Sequence, residues 1–291
     1  MKPAPFSYHA PTELQEALKL LAALAPQDGR ILAGGQTLVP TMAFRMARPA
    51  HLIDINGIRA LDGVVIDGDR LRIGACTRHA YFESDKVPGR LGDLLRRVVR
   101  FIAHYPIRQR GTFCGSLAHA DPAAEMPGIA AACDARIEIV GRTGTRKVGA
   151  QDFFLGPLTT CLAHDELITA IHFPPWPSAR RWAFEEFSQR RGDFAFAGIA
   201  LYYDERPDGI IENAHVGVIG ATHIPRRLGA VEDTLNGRKF VDTVLALAAK
   251  TASSSVEPDD DIHASAAYRR ALVGTLVERS LIAAANRGRA S

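Results

Sequence analysis

The stretch Arg110-Gly-Thr-Phe-Cys-Gly-Ser-Leu-Ala-His-Ala-Asp-Pro-Ala-Ala-Glu-Met-Pro127 joins a glycine loop to a polar turn and a helix start. Gly111 and Gly115 have no side chain, so backbone N–H groups can approach a negatively charged group closely. Asp121-Pro122 then predicts a second helix start, with Asp121 as the N-cap and Pro122 at the first helical position. The pattern indicates a binding site for an anionic group such as a diphosphate.

A similar glycine loop lies closer to the N-terminus. Leu32-Ala-Gly-Gly-Gln-Thr37 follows a predicted strand over residues 30–33 and precedes a helical pattern over residues 38–46. Neither loop matches the dinucleotide motif G-x-G-x-x-G or the phosphate-binding motif G-x-x-x-x-G-K-S/T. Each loop taken alone is also compatible with a simple tight turn. Two such loops, each followed by a helix start, predict one extended ligand held from two sides.

The composition narrows the class of protein. The chain has 291 residues, of which 47% are hydrophobic and 23% are charged, as in ordinary soluble globular proteins. The net charge of +3 is too small to indicate nucleic-acid binding. No apolar run approaches the roughly 20 residues that span a bilayer. The N-terminal segment Met1-Lys-Pro-Ala-Pro-Phe6 has no apolar signal-peptide core, so we expect a cytoplasmic protein without a transmembrane segment.

The cysteines and histidines do not form metal-binding patterns. The four cysteines are Cys76, Cys114, Cys133 and Cys161, and none forms a C-x-x-C pair, so the sequence predicts neither a zinc site nor an iron–sulfur cluster. The ten histidines include no pair at metal-site spacing. We expect free thiols, three of them serving as small core residues. Cys114 differs because it lies inside the second glycine loop.

No catalytic residue is predicted for this chain. The sequence contains no local Ser/His/Asp or Cys/His pattern and no carboxylate pair suited to acid–base chemistry. His79 and His104 are expected to be hydrogen-bonded structural residues. His119 lies in the second loop and is expected to line the binding site.

Hydrophobic periodicity predicts the remaining elements. Thr12-Glu-Leu-Gln15 predicts a capping box at the start of a helix that ends near Pro26, and Asp67-Gly68-Asp69 predicts a hairpin turn. The proline cluster Pro174-Pro-Trp-Pro177 predicts a linker. In the first half we predict strands over 51–55, 63–66, 71–74, 136–140, 146–148 and 166–173, and helices over 77–84, 90–104 and from the second loop to about Cys133. After the linker we predict strands over 181–189, 195–203 and 210–219, and helices over 227–236, 239–252 and 265–286. Three consecutive strands followed by helices indicate an antiparallel sheet backed by helices.

Several motifs together resemble one protein family. Ala33-Gly-Gly-Gln-Thr37 is similar to an A-G-G-x-S/T loop, and Thr112-Phe-Cys-Gly-Ser116 is similar to a T-x-G-G-x loop. The following segment, Leu117-Ala-His-Ala-Asp-Pro-Ala-Ala-Glu125, resembles the same family almost residue for residue. The chain resembles, over its whole length, the FAD-binding medium subunit of molybdenum hydroxylases, in the carbon monoxide dehydrogenase and xanthine dehydrogenase superfamily.

The resemblance implies an α+β fold in two domains. Residues 1–175 would form a vanillyl-alcohol-oxidase-type FAD-binding domain with subdomains of about 1–57 and 58–175. Residues 180–291 would form a smaller C-terminal domain, a three-stranded antiparallel sheet with helices.

The resemblance also implies non-covalent binding of FAD, with the diphosphate between the two loops. Glu125 would accept hydrogen bonds from FAD hydroxyls, Asp121 would shape the loop, and Leu167 and Phe194 would pack near the isoalloxazine. The expected FAD-binding residues are Leu32, Ala33, Gly34, Gly35, Gln36, Thr37, Leu38, Thr77, Gly111, Thr112, Cys114, Gly115, Ser116, His119, Asp121, Glu125, Leu167 and Phe194.

Two positions depart from the family pattern. Cys114 stands where the second loop of the family usually has its first glycine. Because cysteine has a side chain, the backbone at this residue must adopt a negative φ. Some relatives carry a flavin-contacting lysine in the region that here reads Phe184-Glu-Glu-Phe187.

The function implied by the resemblance is electron transfer. The chain would pass electrons from a [2Fe-2S] cluster through FAD to an external acceptor. Expected partners are a large molybdenum-cofactor subunit and a small [2Fe-2S] subunit, in a dimer of heterotrimers, with the molybdopterin cofactor and the clusters on the partners only. The alternatives are a self-contained FAD oxidase of the same fold and a non-enzymatic ligand-binding protein. The substrate (N-heterocycle, purine, aldehyde or CO) and the acceptor (NAD, quinone, oxygen or a carrier protein) stay open.

Overall fold

The structure is a computed structural model that describes residues 2–68 and 70–287. Met1, Asp69 of the predicted hairpin turn and residues 288–291 lie outside the described residues. The helices are α1 Leu14–Leu24, α2 Leu38–Ala43, α3 Gly89–Val98, α4 Tyr105–Arg108, α5 Phe113–His119, α6 Glu125–Ala132, α7 Ala150–Phe153, α8 Gly229–Leu235, α9 Asp242–Ser254 and α10 Ala266–Arg287. The strands are β1 Ser7–His9, β2 Gly29–Leu32, β3 His51–Asp54, β4 Val64–Asp67, β5 Arg70–Gly74, β6 Arg136–Gly141, β7 Gly144–Gly149, β8 Phe154–Gly156, β9 Thr159–Thr160, β10 Leu167–Phe173, β11 Arg181–Phe187, β12 Ala197–Glu205, β13 Ile211–Ile219 and β14 Arg226–Arg227.

The first sheet is parallel and has the order β1-β3-β2. β2 pairs with β3 so that Leu32 lies opposite Asp54. The first glycine loop therefore leaves the carboxyl end of β2 and leads directly into α2. This edge of the sheet faces the site described below.

The second sheet is antiparallel and has the order β4-β5-β10-β6-β7. α5 packs against β10, where the ring centroid of Phe113 lies 5.9 Å from that of Phe173. On its other side the Phe113 ring meets Phe82 at a centroid distance of 6.1 Å. These edge-on aromatic contacts fix the start of α5, and with it the second glycine loop, on the core of this sheet.

The C-terminal sheet is antiparallel and, within the described residues, has the order β11-β12-β13-β14. The prediction of three strands is therefore corrected to four. β14 has only two residues, both arginine, so it carries no alternation of apolar and polar residues that could reveal a strand.

Both faces of the C-terminal sheet are covered. Successive residues of a strand point to opposite faces, and in β12 Ile199 and Leu201 join a core with α8, α9 and α10. Ala200 and Tyr202 join the core that contains α5, α6 and the second sheet. α6 packs closely on this second face, because a Cβ atom at Gly217 would lie 2.5 Å from the Cβ atom of Ala132.

Two predicted helix starts are wrong. α1 begins at Leu14 with Glu13 as its N-cap and no side-chain cap, so Thr12 is one residue too early for the predicted capping box. The Asp121 carboxylate accepts a hydrogen bond from the Ala123 N–H at 2.8 Å and makes a turn instead of capping a helix. α6 begins four residues later than Asp121, at Glu125, with Ala124 as its N-cap.

The largest differences in extent concern three predicted helices. Residues 77–84 contain a short 3₁₀ helix, His79–Glu83, and the helix predicted over 90–104 ends at Val98. The helix predicted after the second loop is divided into α5 and α6.

Candidate functional site

A long groove of about 1160 Å³ opens between the two glycine loops and the C-terminal sheet. Its floor comes from residues 30–38, 111–112, 115–116, 118–119 and 121–125, and its opposite wall comes from Gln189, residues 192–196 and the loop before α10. A groove of this volume is slightly larger than most small-molecule and cofactor sites.

The first loop is shaped by Gly35. This residue has φ +70°, a conformation that side chains disfavour. The Val39 N–H donates to the Gly35 carbonyl at 2.9 Å, which starts α2. The Gln36 amide donates to the Gly34 carbonyl at 2.9 Å and holds the loop in place from within.

The second loop is the start of α5. The Thr112 hydroxyl caps this helix by accepting a hydrogen bond from the Gly115 N–H at 3.1 Å. Cys114 lies inside α5 with a negative φ, as the departure from the family pattern requires. Its thiol is buried in the core, and burial raises its pKa. Cys114 therefore contributes backbone, not a reactive thiol, to this segment.

The two loops touch through their backbones. A Cβ atom at Gly34 would collide with the carbonyl oxygen of Arg110 and would lie 2.8 Å from Cα of Gly111. A Cβ atom at Gly111 would lie 2.8 Å from the ring of His79. The glycines thus allow the backbones of the two loops to meet on one floor.

Two buried carboxyl groups, Glu125 and Glu186, influence each other, and Glu125 lines the groove. Glu125 lines the groove and is only 9% exposed, and burial, together with the negative charge of Asp121, raises its pKa. Both carboxyl oxygens of Glu186 on β11 are enclosed and have no hydrogen-bond partner among the described residues. Burial, followed by the charge of Glu125, raises the pKa of Glu186. The pair therefore tends to keep a proton.

The C-terminal region contributes residues that sequence reasoning missed. Arg269 of α10 lines the groove, and its guanidinium donates to the carbonyls of Phe196 (3.1 Å) and Gly220 (3.0 Å). It also forms an ion pair with Asp261 at 2.6 Å. Backbone N–H groups of Ala264 and His263, with Arg269, lower the pKa of Asp261 to about 2. Arg269 therefore holds the loop before α10 against the ends of β12 and β13.

Different signals were available for the missed residues. Glu186 lies two residues after Phe184 in β11, and Phe184 is fully buried. Because residues two apart in a strand point to the same face, the sequence could have predicted that the Glu186 carboxyl group points inward. Arg269 lies far from both loops in the sequence, and no local pattern links it to them.

Most of the predicted site residues come together in the groove. The groove-lining members of the predicted set are Leu32, Ala33, Gly34, Gly35, Gln36, Thr37, Leu38, Gly111, Thr112, Gly115, Ser116, His119, Asp121, Glu125 and Phe194. Thr77, Cys114 and Leu167 do not line it. The Thr77 hydroxyl donates to the Gly63 carbonyl at 2.8 Å, and Leu167 is buried in β10. All three side chains are buried.

The part of the chain that the structure describes contains neither a cluster of metal-ligating side chains nor a helix able to span a membrane. No group of three or more His, Cys, Asp or Glu side chains among these residues could hold a metal ion. None of the helices in this part is both long enough and apolar enough to cross a bilayer.

Known family models match both the N-terminal and the C-terminal part of the chain. Residues 4–176 match the family model of the FAD binding domain in molybdopterin dehydrogenase. Residues 182–284 match the model of the CO dehydrogenase flavoprotein C-terminal domain.

Relatives match over almost the whole length. The chain is 36% identical to the 6-hydroxypseudooxynicotine dehydrogenase complex subunit alpha of Paenarthrobacter nicotinovorans, covering 99% of this chain and 97% of that one. It is 34% identical to the nicotine 6-hydroxylase medium subunit of the same organism, covering 99% and 100%. A solved structure of carbon monoxide dehydrogenase from Hydrogenophaga pseudoflava superposes with a TM-score of 0.94, at 36% identity and 99% coverage of both chains.

These matches confirm the predicted fold class and the predicted function as an FAD-binding, electron-transferring oxidoreductase subunit. The chain belongs to the FAD-binding medium subunits of the molybdenum hydroxylases.

Proposed function

We propose that the groove is the FAD site of this subunit, with the diphosphate between the two glycine loops. The observation that carries this proposal is the contact of Gly34 with the backbone of residues 110–111, which brings both loops to one floor. Bare backbone at this point suits an anion, because N–H groups can reach its oxygens without interference from side chains.

The groove residues fit FAD in other respects. Glu125 offers a carboxyl group to the ribityl or ribose hydroxyls. Phe194 is 67% exposed at the groove, and an aromatic side chain there can pack on a flat ring system. FAD, when bound, supplies the redox chemistry, accepting and donating electrons one or two at a time. The chain's own residues bind and orient the cofactor, and we assign none of them to acid–base catalysis.

We infer that the binding residues include the whole predicted set. Thr77, Cys114 and Leu167 would act through the backbone or by supporting the floor from beneath. We place the domain boundary in the proline-rich segment, with FAD-binding subdomains of about 1–57 and 58–175 and a C-terminal domain of 180–291. The two cores on opposite faces of the C-terminal sheet support this division.

We propose a complex with a large molybdenum-cofactor subunit and a small [2Fe-2S] subunit, assembled as a dimer of heterotrimers in the cytoplasm. The relatives support partners, since one is named as a subunit of a dehydrogenase complex and another as a medium subunit. The sequence lacks the cysteine spacing of an iron–sulfur site, so the clusters belong on another chain. Electrons would enter from a cluster and leave to an external acceptor.

Flavin and metal analysis of the complex from its host tests the proposal. We expect one FAD per chain, complete release of the yellow colour by acid precipitation, and molybdenum and iron on separate chains. Flavin that stays on the precipitated protein would contradict non-covalent binding. A complex without flavin would overturn the assignment of the groove.

A further inference from the structure

His79 is a groove residue with an unsatisfied nitrogen. It begins the 3₁₀ helix His79–Glu83, lines the groove, and is 5% exposed. Its Nδ1 atom is enclosed and has no hydrogen-bond partner among the described residues. Because an enclosed N–H without an acceptor costs free energy, this unpaired nitrogen bears on which tautomer the ring adopts.

The ring is fixed beside the second glycine loop. The His79 N–H donates to the Gly111 carbonyl at 2.9 Å. A Cβ atom at Gly111 would lie 2.8 Å from Cδ2 and 3.2 Å from Nε2 of His79. The ring edge that carries Nε2 therefore lies against Gly111, at the point where the two loops meet.

The surroundings keep the ring neutral. Burial, followed by the positive charges of Arg108 and Arg78, lowers the pKa of His79 to about 4. Both arginines already have protein partners. Arg108 forms an ion pair with Glu83, and Arg78 donates to the Arg110 carbonyl at 2.5 Å and to Asn56 at 2.7 Å.

The neutral ring has one N–H group, and its position can be inferred. A buried N–H without an acceptor is rarer in proteins than an acceptor with an unused lone pair. The enclosed Nδ1 is therefore the unprotonated nitrogen, and Nε2 carries the hydrogen. This tautomer presents a donor on the ring edge beside Gly111.

We propose that His79 is a ligand-binding residue, whose Nε2–H donates a hydrogen bond to a phosphate oxygen held beside Gly111. The inference rests on the proposed function, in which that oxygen belongs to the diphosphate of FAD. A neutral donor suits this place, since Arg78 and Arg108 already supply positive charge and a third cation would repel them. His79 thus joins the two loops as a side-chain contributor to the cradle.

Three substitutions separate this role from simple packing. In His79→Gln the side-chain amide nitrogen lies near the position of Nε2, whereas in His79→Asn it lies near that of Nδ1. His79→Leu keeps the bulk without a donor. The matched control is His164→Leu, because His164 is exposed and lies outside the groove.

The measurement is the dissociation constant of FAD for the flavin-depleted full chain. We expect the Leu and Asn variants to bind roughly ten- to hundredfold more weakly, the Gln variant to stay within a fewfold of wild type, and the control to be unchanged. Equal losses in the Gln and Leu variants, or wild-type affinity in all three, would overturn the role of His79. If the wild-type chain itself does not bind FAD, the groove assignment fails instead.

Nitrogen NMR of the imidazole provides a second readout that does not depend on affinity. In the ¹⁵N-labelled wild-type chain, we expect His79 in the Nε2–H form, with the Nε2 resonance shifting when FAD is added. The signals are identified by their absence from a folded His79 variant. A proton on Nδ1, or an Nε2 resonance unmoved by bound FAD, would contradict the proposal.

Discussion

Single residues carry the decisive geometry of the groove, and Gly34 is the clearest case. Its missing side chain lets the first loop touch the backbone of Arg110 and Gly111. The sequence predicted that glycines were needed here for the approach of a ligand. It could not predict that one of them also serves the contact between the loops, since residues 34 and 110 come together only in the folded chain.

We therefore expect Gly34→Val to abolish FAD binding. The valine side chain would force the loops apart and separate their N–H groups. Gly229→Val is the matched control, because nothing lies within 4 Å of a Cβ atom at Gly229 and its φ is negative. Gly29 is unsuitable as a control, since a Cβ atom there would lie 2.7 Å from the Leu24 carbonyl oxygen. Flavin content of the two purified variants decides, and equal content would refute the prediction.

Glu186 determines a pH dependence of stability. Its pKa is raised in the folded chain, so between the ordinary value of 4.5 and the raised value the folded state holds more protons than the unfolded state. The free energy of unfolding therefore falls as pH rises through this window. We expect Glu186→Gln to remove this loss and to stabilise the chain by roughly 1–3 kcal/mol at mildly alkaline pH.

Thermal unfolding across pH measures the effect of Glu186→Gln. The control is Glu185→Gln, the adjacent residue, whose carboxylate lies 3.4 Å from Arg97 and whose side chain is 20% exposed. A melting profile for Glu186→Gln that stays parallel to the wild-type profile at all pH values would show that the carboxyl group is not protonated in the folded chain.

At the scale of elements, the alternation and helical periodicity of apolar residues predicted most strands and helices. Two helix starts were predicted wrongly, both from polar residues that resemble N-caps. Asp121 looked like an N-cap because Asp-Pro favours a helix start, yet its carboxylate bonds the Ala123 N–H and closes a turn. Both arrangements use the same side chain and the same kind of backbone donor. In the folded chain the Gly220 N–H, at the end of β13, donates to the Pro122 carbonyl at 2.9 Å, a contact with this turn that is distant in sequence.

Loss of the Thr112 cap at the start of α5 should lower the stability of the chain by a measurable amount. We expect Thr112→Ala to destabilise the chain by about 1 kcal/mol, because the Gly115 N–H loses its acceptor, and to weaken FAD binding as the loop loosens. Thr112→Ser keeps the hydroxyl and should retain most of both properties. Urea unfolding and FAD titration of the two variants provide the comparison, and identical behaviour of Ala and Ser would rule out the cap.

At the scale of the whole molecule, the groove is built from three regions. The parallel sheet supplies the first loop, the helices on the antiparallel sheet supply the second, and the C-terminal region supplies Asp261, His263 and Arg269. The motifs predicted the first two regions because each is continuous in sequence. In the third region the resemblance implied Phe194. Asp261, His263 and Arg269 escaped prediction because they join the groove only through the fold of the C-terminal sheet and α10.

The proposed division of cofactors, with FAD on this chain and the molybdenum cofactor and clusters on partner subunits, leads to a prediction about activity. We expect the isolated FAD-loaded chain to leave N-heterocycles, purines, aldehydes and CO unoxidised, while the complete complex oxidises its substrate. Loss of flavin absorbance on anaerobic addition of each compound measures this. Turnover by the isolated chain at the rate of the complex would identify a self-contained oxidase.

The contact of Gly34 with the second loop also limits how this protein can change over generations. A side chain at Gly34 would strike a carbonyl oxygen and a Cα atom, which every amino acid possesses, so no second substitution at residues 110 or 111 can make room for it. Gly128 is in the opposite situation, since the three atoms nearest to a Cβ atom there all belong to the side chain of Ile219. A smaller residue at position 219 can compensate for a change at Gly128. Position 34 has no such suppressor, so a lineage that loses this glycine can recover only by rebuilding the loop.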